Sequence, residues 1–207
     1  MIGFYNYTVW LTYLSLISGV LGISFAMSGN PFGAVICLLI SGFCDMFDGK
    51  VARTKDRSEK EENFGIQIDS LSDLVCFGVL PAVIGYSVGM TDWYFIPVLC
   101  LFVLFGLIRL AYFNVLEAER RANDGPRVGF QGLPITTSAL IFPAFYLLRK
   151  FIPGSFYLVY AFVMILTGCL FISKIKVKKP GNKMVIGFCI TGLILLICLL
   201  CGRYLWK

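Results

Sequence analysis

Residues 31–53 read PFGAVICLLISGFCDMFDGKVAR, an apolar run that ends in a polar stretch with two aspartates. No charged residue occurs in this stretch before Asp45. A helix needs about 20 mostly apolar residues to cross the hydrocarbon core of a bilayer, so the run predicts a transmembrane helix. Carboxylates at membrane depth are costly, which makes Asp45 and Asp48 candidates for a functional site.

The rest of the chain has the same apolar character. Of its 207 residues, 58% are hydrophobic and 14% are charged, whereas a soluble domain is about half apolar and a quarter charged. We therefore expect an all-α fold, a polytopic membrane helix bundle that forms a single integral-membrane domain over residues 1–207. Seven segments are long enough to span, near residues 9–27, 31–52, 64–89, 94–116, 133–152, 155–173 and 184–205.

Basic residues show how the bundle is oriented. Most of the 18 Lys and Arg residues lie in the loops that follow the second, fourth and sixth segments. The positive-inside rule then places the N-terminus and these loops in the cytoplasm. The net charge of +6 is explained by topology and anionic headgroups, so we expect a lipid bilayer and no nucleic acid as partner. In a prokaryote the location would be the inner membrane.

The chain contains no histidine. This absence excludes Ser-His-Asp and Cys-His catalysis and histidine-ligated zinc. The eight cysteines lie in apolar runs, where we interpret them as small buried hydrophobic residues. Chemistry is left to carboxylates, hydroxyls, thiols, lysine, arginine or a metal held by oxygen.

Four aspartates fall within or at the ends of the second and third segments. Asp45 and Asp48 are three residues apart and Asp69 and Asp73 are four apart, so each pair shares one face of its helix. At about 1.5 Å of rise per residue, both pairs reach the cytoplasmic third of the bilayer. The sequence therefore predicts that two adjacent helices bring four carboxylates together.

Such a set of carboxylates is suited to metal ions. Two divalent cations would balance its charge of up to −4, and all-oxygen ligation favours Mg²⁺, Mn²⁺ or Ca²⁺. Two metals that share carboxylates suit phosphoryl chemistry. Nearby, Gly49 and Ala52 leave room for a ligand and Arg53 can pair with phosphate. Taken singly, these residues also fit helix packing and a topology anchor.

Together these residues resemble a known signature. The stretches Asp45-Met-Phe-Asp48-Gly49-Lys-Val-Ala52-Arg53 and Gly65-x-x-x-Asp69-x-x-x-Asp73 fill every position of DxxDGxxAR…GxxxDxxxD, the pattern of the CDP-alcohol phosphatidyltransferases. The resemblance implies a six-helix core, here with one helix more, and a homodimer. The eleven residues Thr54–Phe64 between the two halves exceed the usual spacing. We interpret them as a longer cytoplasmic loop.

Other stretches are similar to the serine-using branch of this family, namely residues 73–82, 109–114, 132–134 and 173–176. That branch transfers the phosphatidyl group from CDP-diacylglycerol to the hydroxyl of L-serine and releases CMP, with two Mg²⁺ or Mn²⁺ ions. The resemblance implies metal ligation by Asp45, Asp48 and Asp69. It gives Asp73 a place at the metals and a role as general base, and it places Gly49, Ala52, Arg53 and Gly65 around the nucleotide.

Arg109 lies within the fourth segment, roughly level with the aspartates at 1.5 Å of rise per residue. An arginine at that depth needs a partner. It forms either a structural salt bridge with one of the aspartates or a clamp on phosphate or on the serine carboxylate. Asn114 and Gln131 are further candidates for binding the acceptor.

Two other functions are compatible with parts of this pattern. A sister enzyme would use glycerol 3-phosphate or inositol phosphate as the acceptor and would need further basic residues near the site. A cation transporter would bind its ion at the aspartates. The transporter reading leaves the glycine, alanine and arginine positions unexplained, and it places an ion site toward the cytoplasmic face instead of the midplane.

Overall fold

The computed structural model describes residues 3, 7–51, 54, 58–122, 130–152, 154–177 and 182–205. Within this part of the chain the fold is helical, with one pair of two-residue strands. The α-helices are α1 (Trp10–Met27), α2 (Pro31–Val51), α3 (Glu59–Asp73), α4 (Leu80–Ser87), α5 (Ile96–Ala122), α6 (Ser138–Tyr146), α7 (Phe156–Phe171) and α8 (Asn182–Leu205). The strands are β1 (Phe130–Gln131) and β2 (Lys176–Val177), which pair antiparallel.

Four helical stretches of the described residues are long and apolar enough to cross a membrane. They are Trp10–Met27, Pro31–Gly49, Glu59–Ser87 and Ile96–Arg120. Two shorter apolar helices, Phe156–Phe171 and Ile186–Gly202, accompany them. Together with α6 these make seven helical segments, which confirms the predicted polytopic bundle.

Helix α1 packs closely along α2 and the third segment through small residues. A Cβ atom on Gly22 would lie 2.9 Å from the Cβ of Cys37, and one on Gly19 would lie 2.6 Å from the Cys76 sulfur. Hydroxyl groups join the same surfaces, since Ser18 donates to the Cys37 carbonyl at 3.0 Å. Small and hydroxyl residues are the usual contacts between membrane helices because they allow a close approach.

The third segment begins earlier than the sequence suggested. Helix α3 starts at Glu59 because Ser58 caps it: the Ser58 hydroxyl accepts a bond from the Glu61 N–H, and the Glu61 carboxylate accepts one from the Ser58 N–H at 2.9 Å. The prediction of a loop over Thr54–Phe64 was therefore wrong for residues 59–64. The Ser-x-x-Glu spacing of a capping box was present in the sequence.

The same segment changes its winding directly after Asp73. A π-helical turn covers Leu74–Val79 and leads into α4. Pro81, in the first turn of α4, has no N–H to donate to the preceding turn. Its own carbonyl accepts a bond from the Tyr160 hydroxyl of α7 at 3.0 Å, which ties this part of the segment to α7.

A short, irregular segment follows the β1 strand. Gly132 adopts a φ of 73°, and its N–H donates to the Ile175 carbonyl at 2.8 Å. A Cβ atom there would lie 2.6 Å from the Phe171 carbonyl oxygen, so only glycine fits. Two 3₁₀ turns, Ile135–Thr137 and Leu147–Lys150, flank α6. The predicted spanning segment 133–152 therefore consists of the short helix α6 with a 3₁₀ turn on each side.

Candidate active site

A cavity of about 530 Å³ lies between α2, α3, α5, α6 and α8. All four signature aspartates and Arg109 line it. The turn before α6 adds two hydroxyl residues, and most of the remaining wall is apolar. The other lining residues are Leu39, Gly42, Phe43, Met46, Leu133, Pro134, Ile135, Thr136, Thr137, Ala139, Leu140, Phe188 and Gly192.

The four aspartates meet as the spacing predicted, and we refer to Asp45, Asp48, Asp69 and Asp73 as the carboxylate cluster. One carboxylate oxygen from each of Asp45, Asp48 and Asp69 lies within 4.8 Å of the others. The Asp73 carboxyl is within hydrogen-bond reach of Asp45, and the Asp48 carboxyl is within reach of Asp69. Asp48 and Asp73 are buried. Two neighbouring helices therefore present four carboxylates to one point.

The chemistry of the cluster fits a hard divalent cation. All its donors are oxygens, the type that Mg²⁺ and related ions prefer. Among the described residues, the buried Oδ1 atom of Asp69 has no hydrogen-bond partner. Buried polar atoms normally have a partner, so this oxygen is free to bind a ligand. Carboxylates this close repel each other unless a cation or proton compensates them.

Arg109 is 8% exposed and lies against the cavity from α5. Its Nε atom has no hydrogen-bond partner among the described residues, and none of the described carboxylates forms an ion pair with it. The sequence left two roles open for Arg109, a structural salt bridge with an aspartate or a clamp on phosphate or on the serine carboxylate. Among the described residues, Arg109 forms no direct salt bridge with the carboxylate cluster.

Thr12 of α1 contacts the cluster and was not a candidate from the sequence. Its hydroxyl donates a hydrogen bond to Oδ2 of Asp48 at 3.2 Å. A single hydroxyl in a membrane helix is common, so the sequence carried no signal for this contact. Thr136 and Thr137, which line the cavity from the turn before α6, were not candidates from the sequence either.

The remaining candidates lie apart from the cavity wall. Gly49 is exposed, and a Cβ atom there would meet no atom of the described residues within 4 Å. Gly65 lies partly buried on α3, one turn before Asp69. Asn114 accepts a bond from the Ser70 hydroxyl at 3.0 Å, which joins α5 to α3.

Three further predicted site residues are not tested by side-chain positions. Ala52 and Arg53 lie outside the described residues. Gln131 belongs to β1, where its backbone pairs with Lys176.

The fold and the cavity define a polytopic membrane protein with a buried carboxylate centre. The family model described as CDP-alcohol phosphatidyltransferase matches residues 5–173. The chain therefore belongs to the CDP-alcohol phosphatidyltransferase family, as the signature had indicated. The family is metal-dependent, and the carboxylate cluster offers oxygens placed closely enough to hold a metal ion.

Curated relatives have names that share one feature. The chain is 36% identical to the CDP-diacylglycerol–serine O-phosphatidyltransferase of Saccharomyces cerevisiae over 151 residues, which cover 67% of this chain and 54% of that protein. It is 38% identical to the archaetidylserine synthase of Methanothermobacter thermautotrophicus over 173 residues, covering 82% and 68%. A CDP-diacylglycerol–serine O-phosphatidyltransferase of Methanocaldococcus jannaschii is 34% identical over 177 residues, covering 86% and 76%. All three names contain serine. The chain thus spans about half of the yeast relative.

Helix α8 lies beyond the residues that the family model matches, yet it forms part of the cavity wall. Phe188 and Gly192 of α8 line the cavity. A Cβ atom on Gly192 would lie 2.9 Å from the ring of Phe43 on α2. The Cys189 thiol contacts the Met46 sulfur at 3.5 Å. The cavity is therefore closed on one side by an element outside the matched region.

Proposed function

We propose that this chain is a phosphatidylserine synthase, a CDP-diacylglycerol–serine O-phosphatidyltransferase. It transfers the phosphatidyl group from CDP-diacylglycerol to the hydroxyl of L-serine and releases CMP. The observation that carries the proposal is the convergence of four carboxylates and Arg109 on one cavity, in a chain of this family. The names of the relatives support serine as the acceptor.

The carboxylate cluster would hold two divalent cations, Mg²⁺ or Mn²⁺, and Ca²⁺ could also bind there. When bound, the ions would neutralise charge that develops on the phosphoryl group and on the departing CMP. Asp45, Asp48 and Asp69 supply oxygens within 4.8 Å of one another. These three aspartates would hold their oxygens in place for the ions, in a cavity that is otherwise mainly apolar.

Asp73 is the proposed general base. Its carboxyl lines the cavity beside Asp45, where an acceptor hydroxyl can come within hydrogen-bond distance. The serine oxygen forms a bond to the lipid-side phosphorus, and the bond from that phosphorus to the CMP oxygen breaks. The hydroxyl proton passes to Asp73, and CMP leaves with the electron pair.

Arg109 is the proposed partner of the serine carboxylate or of a substrate phosphate. A guanidinium binds planar oxyanions with two parallel hydrogen bonds, and the Nε atom of Arg109 has no partner in the described part of the chain. Asn114 and Gln131 remain predicted acceptor contacts. The bond from Ser70 shows that Asn114 also has a structural role.

The nucleotide would lie at the cytoplasmic end of α2. Gly49, with open space beside it, leaves the backbone accessible to a ligand. Gly65, Ala52 and Arg53 complete this proposed pocket on the basis of the signature. The active site would face the cytoplasm, with the N-terminus inside, and the whole chain would act as one domain in a homodimer.

One assay tests the proposal. Purified protein in detergent receives CDP-diacylglycerol and Mn²⁺ or Mg²⁺, together with serine, glycerol 3-phosphate or inositol phosphate, and released CMP is measured. We expect release with serine. Release with another alcohol alone would make the chain a sister enzyme. No release with any of the three would contradict the transferase and favour the cation transporter.

A further inference from the structure

Thr12 connects α1 to both helices that carry the carboxylate cluster. The residue is 5% exposed. The hydroxyl donates to Oδ2 of Asp48 on α2 at 3.2 Å. The backbone carbonyl of the same residue accepts a bond from the Ser72 hydroxyl at 3.4 Å, and Ser72 directly precedes Asp73 on α3. One residue of α1 thus contacts both halves of the site.

The position of Thr12 is fixed by the turn that follows it. Ser15 and Ser41 exchange hydrogen bonds across α1 and α2, each hydroxyl donating to the other residue's carbonyl at 3.2 and 2.9 Å. The Cys76 thiol donates to the Ser15 carbonyl at 3.3 Å. These buried bonds join α1, α2 and the π turn. Because α1 is held in place, the Thr12 hydroxyl offers Asp48 a fixed donor.

Asp48 needs such a donor. The terminal torsion of an aspartate is broad, so its carboxylate rotates easily. The neighbouring carboxylates repel it and favour orientations that point away from the cluster. A hydroxyl that holds one oxygen limits this rotation and keeps the Asp48 carboxylate in one orientation. Outer hydrogen bonds of this kind orient metal ligands, and their loss costs about 10–100-fold in metal affinity.

We propose that Thr12 is a positioning residue for the metal site, through its hydrogen bond to Asp48. This inference rests on the proposed function only in assuming that the carboxylate cluster binds a divalent cation. Thr12 itself donates to the Asp48 carboxylate and would not bind the metal ion. Its contribution is to set the direction of the Asp48 carboxylate before a cation arrives.

The test compares Thr12→Val with Thr12→Ser in the full chain in detergent. Valine keeps the branched shape of threonine and removes the hydroxyl, whereas serine keeps the hydroxyl. Mn²⁺ binding is measured by calorimetry without substrate. We expect Thr12→Val to weaken Mn²⁺ binding about tenfold and Thr12→Ser to stay within about twofold of the original chain.

A matched control uses the same helix interface. Ser18 is buried on α1 and donates to the Cys37 carbonyl of α2 at 3.0 Å, without contact to a carboxylate. Ser18→Ala removes one buried hydrogen bond between the same two helices. We expect it to leave Mn²⁺ affinity unchanged. If Ser18→Ala weakens binding as much as Thr12→Val does, general loosening of the interface explains the effect and the proposal fails.

Two further readouts separate positioning from folding and from the reaction. Thermal unfolding without metal should differ little between Thr12→Val and Ser18→Ala. A collapse of stability in Thr12→Val alone would make Thr12 structural and overturn the proposal. The Mn²⁺ concentration for half-maximal CMP release should rise in Thr12→Val while kcat at saturating Mn²⁺ changes less. If the original chain binds Mn²⁺ but releases no CMP, only the proposed function is contradicted. If the original chain binds no Mn²⁺, this inference is overturned.

Discussion

The guanidinium carbon of Arg109 lies 4.8 Å from the centre of the Phe113 ring, one helical turn further along α5. A cation over an aromatic face gains about 0.5–2 kcal/mol, more when water is excluded. The ring therefore holds a buried guanidinium at the cavity wall without an ion pair, and the Nε atom remains unpartnered among the described residues. Arg109 is thus placed and oriented without its charge being neutralised by a direct contact.

Replacing Arg109 by lysine should raise the KM for serine. Lysine keeps the charge but loses the planar fork that binds two oxygens at once. We expect the KM to rise about tenfold or more, which corresponds to about 1.4 kcal/mol. Steady-state CMP release at varied serine measures it.

Arg149→Lys provides the control for this variant. Arg149 also lies over an aromatic ring, 5.6 Å from the centre of Tyr146, but it is exposed and outside the cavity wall. Its substitution should leave the serine KM unchanged. An unchanged KM in Arg109→Lys together with lower thermal stability would instead assign Arg109 a structural role.

Asp69→Asn should abolish turnover and leave the protein folded. The change preserves shape and removes one negative charge from the cluster, so the remaining oxygens bind a divalent cation less well. Gel filtration in detergent and CMP release measure the two effects. Asp92→Asn is the control, because Asp92 lies in an exposed loop where it accepts a bond from Tyr94 at 2.6 Å. Retained activity in Asp69→Asn would contradict its role as a metal ligand.

Removal of divalent cations should stop the reaction reversibly. The centre contains only oxygen donors, so a chelator such as EDTA is expected to reduce CMP release to background. Addition of Mn²⁺ or Mg²⁺ should restore it and should also raise the unfolding temperature, since a ligand that binds the native state stabilises it. Full activity in excess chelator would show that the carboxylates act without a metal.

Gly42→Ala should destabilise the contact between α2 and α6. A Cβ atom on Gly42 would lie 2.5 Å from the Cβ of Ala139, and overpacking of this kind costs about 1–3 kcal/mol. Thermal unfolding in detergent measures the loss. The paired variant Gly42→Ala with Ala139→Gly restores the space and should recover much of the stability. Equal instability of the single and double variants would contradict the predicted contact.

Gly49→Leu should weaken binding of the CDP-lipid without affecting the fold. A Cβ atom on Gly49 meets no described atom within 4 Å, so we expect this exposed position to accept a larger side chain. In the proposed nucleotide pocket it would occupy ligand space, and we expect the KM for CDP-diacylglycerol to rise. Gly202→Leu is the control, because the space beside Gly202 is also open and it lies near the end of α8. Equal KM values in the two variants would remove Gly49 from the nucleotide site.

The carboxylate cluster could be predicted because it depends on helical spacing and depth alone. Asp45 with Asp48 and Asp69 with Asp73 share faces by their separation, and a short connection makes their helices neighbours. The bundle itself follows from hydrophobic runs of spanning length. The start of α3 was also readable, since Ser58 and Glu61 form a capping box.

Other features depend on how each helix is rotated against its neighbours. The bond between Thr12 and Asp48 requires α1 to present one particular side, and that choice is made by tertiary packing around Ser15 and Gly19. The π turn after Asp73 ends shortly before Pro81, which has no N–H to donate to the preceding turn. Periodicity carries no information about either.

Helix α8 forms part of the cavity wall although it lies outside the region that the family model matches. The carboxylate cluster and Arg109 lie within residues 5–173, which the family model matches, whereas one side of the cavity around them is built by Phe188 and Gly192. The matched region therefore contains the carboxylate cluster but only part of the cavity wall. The volume and outline of the cavity therefore depend on α8 as well as on the residues that carry the signature.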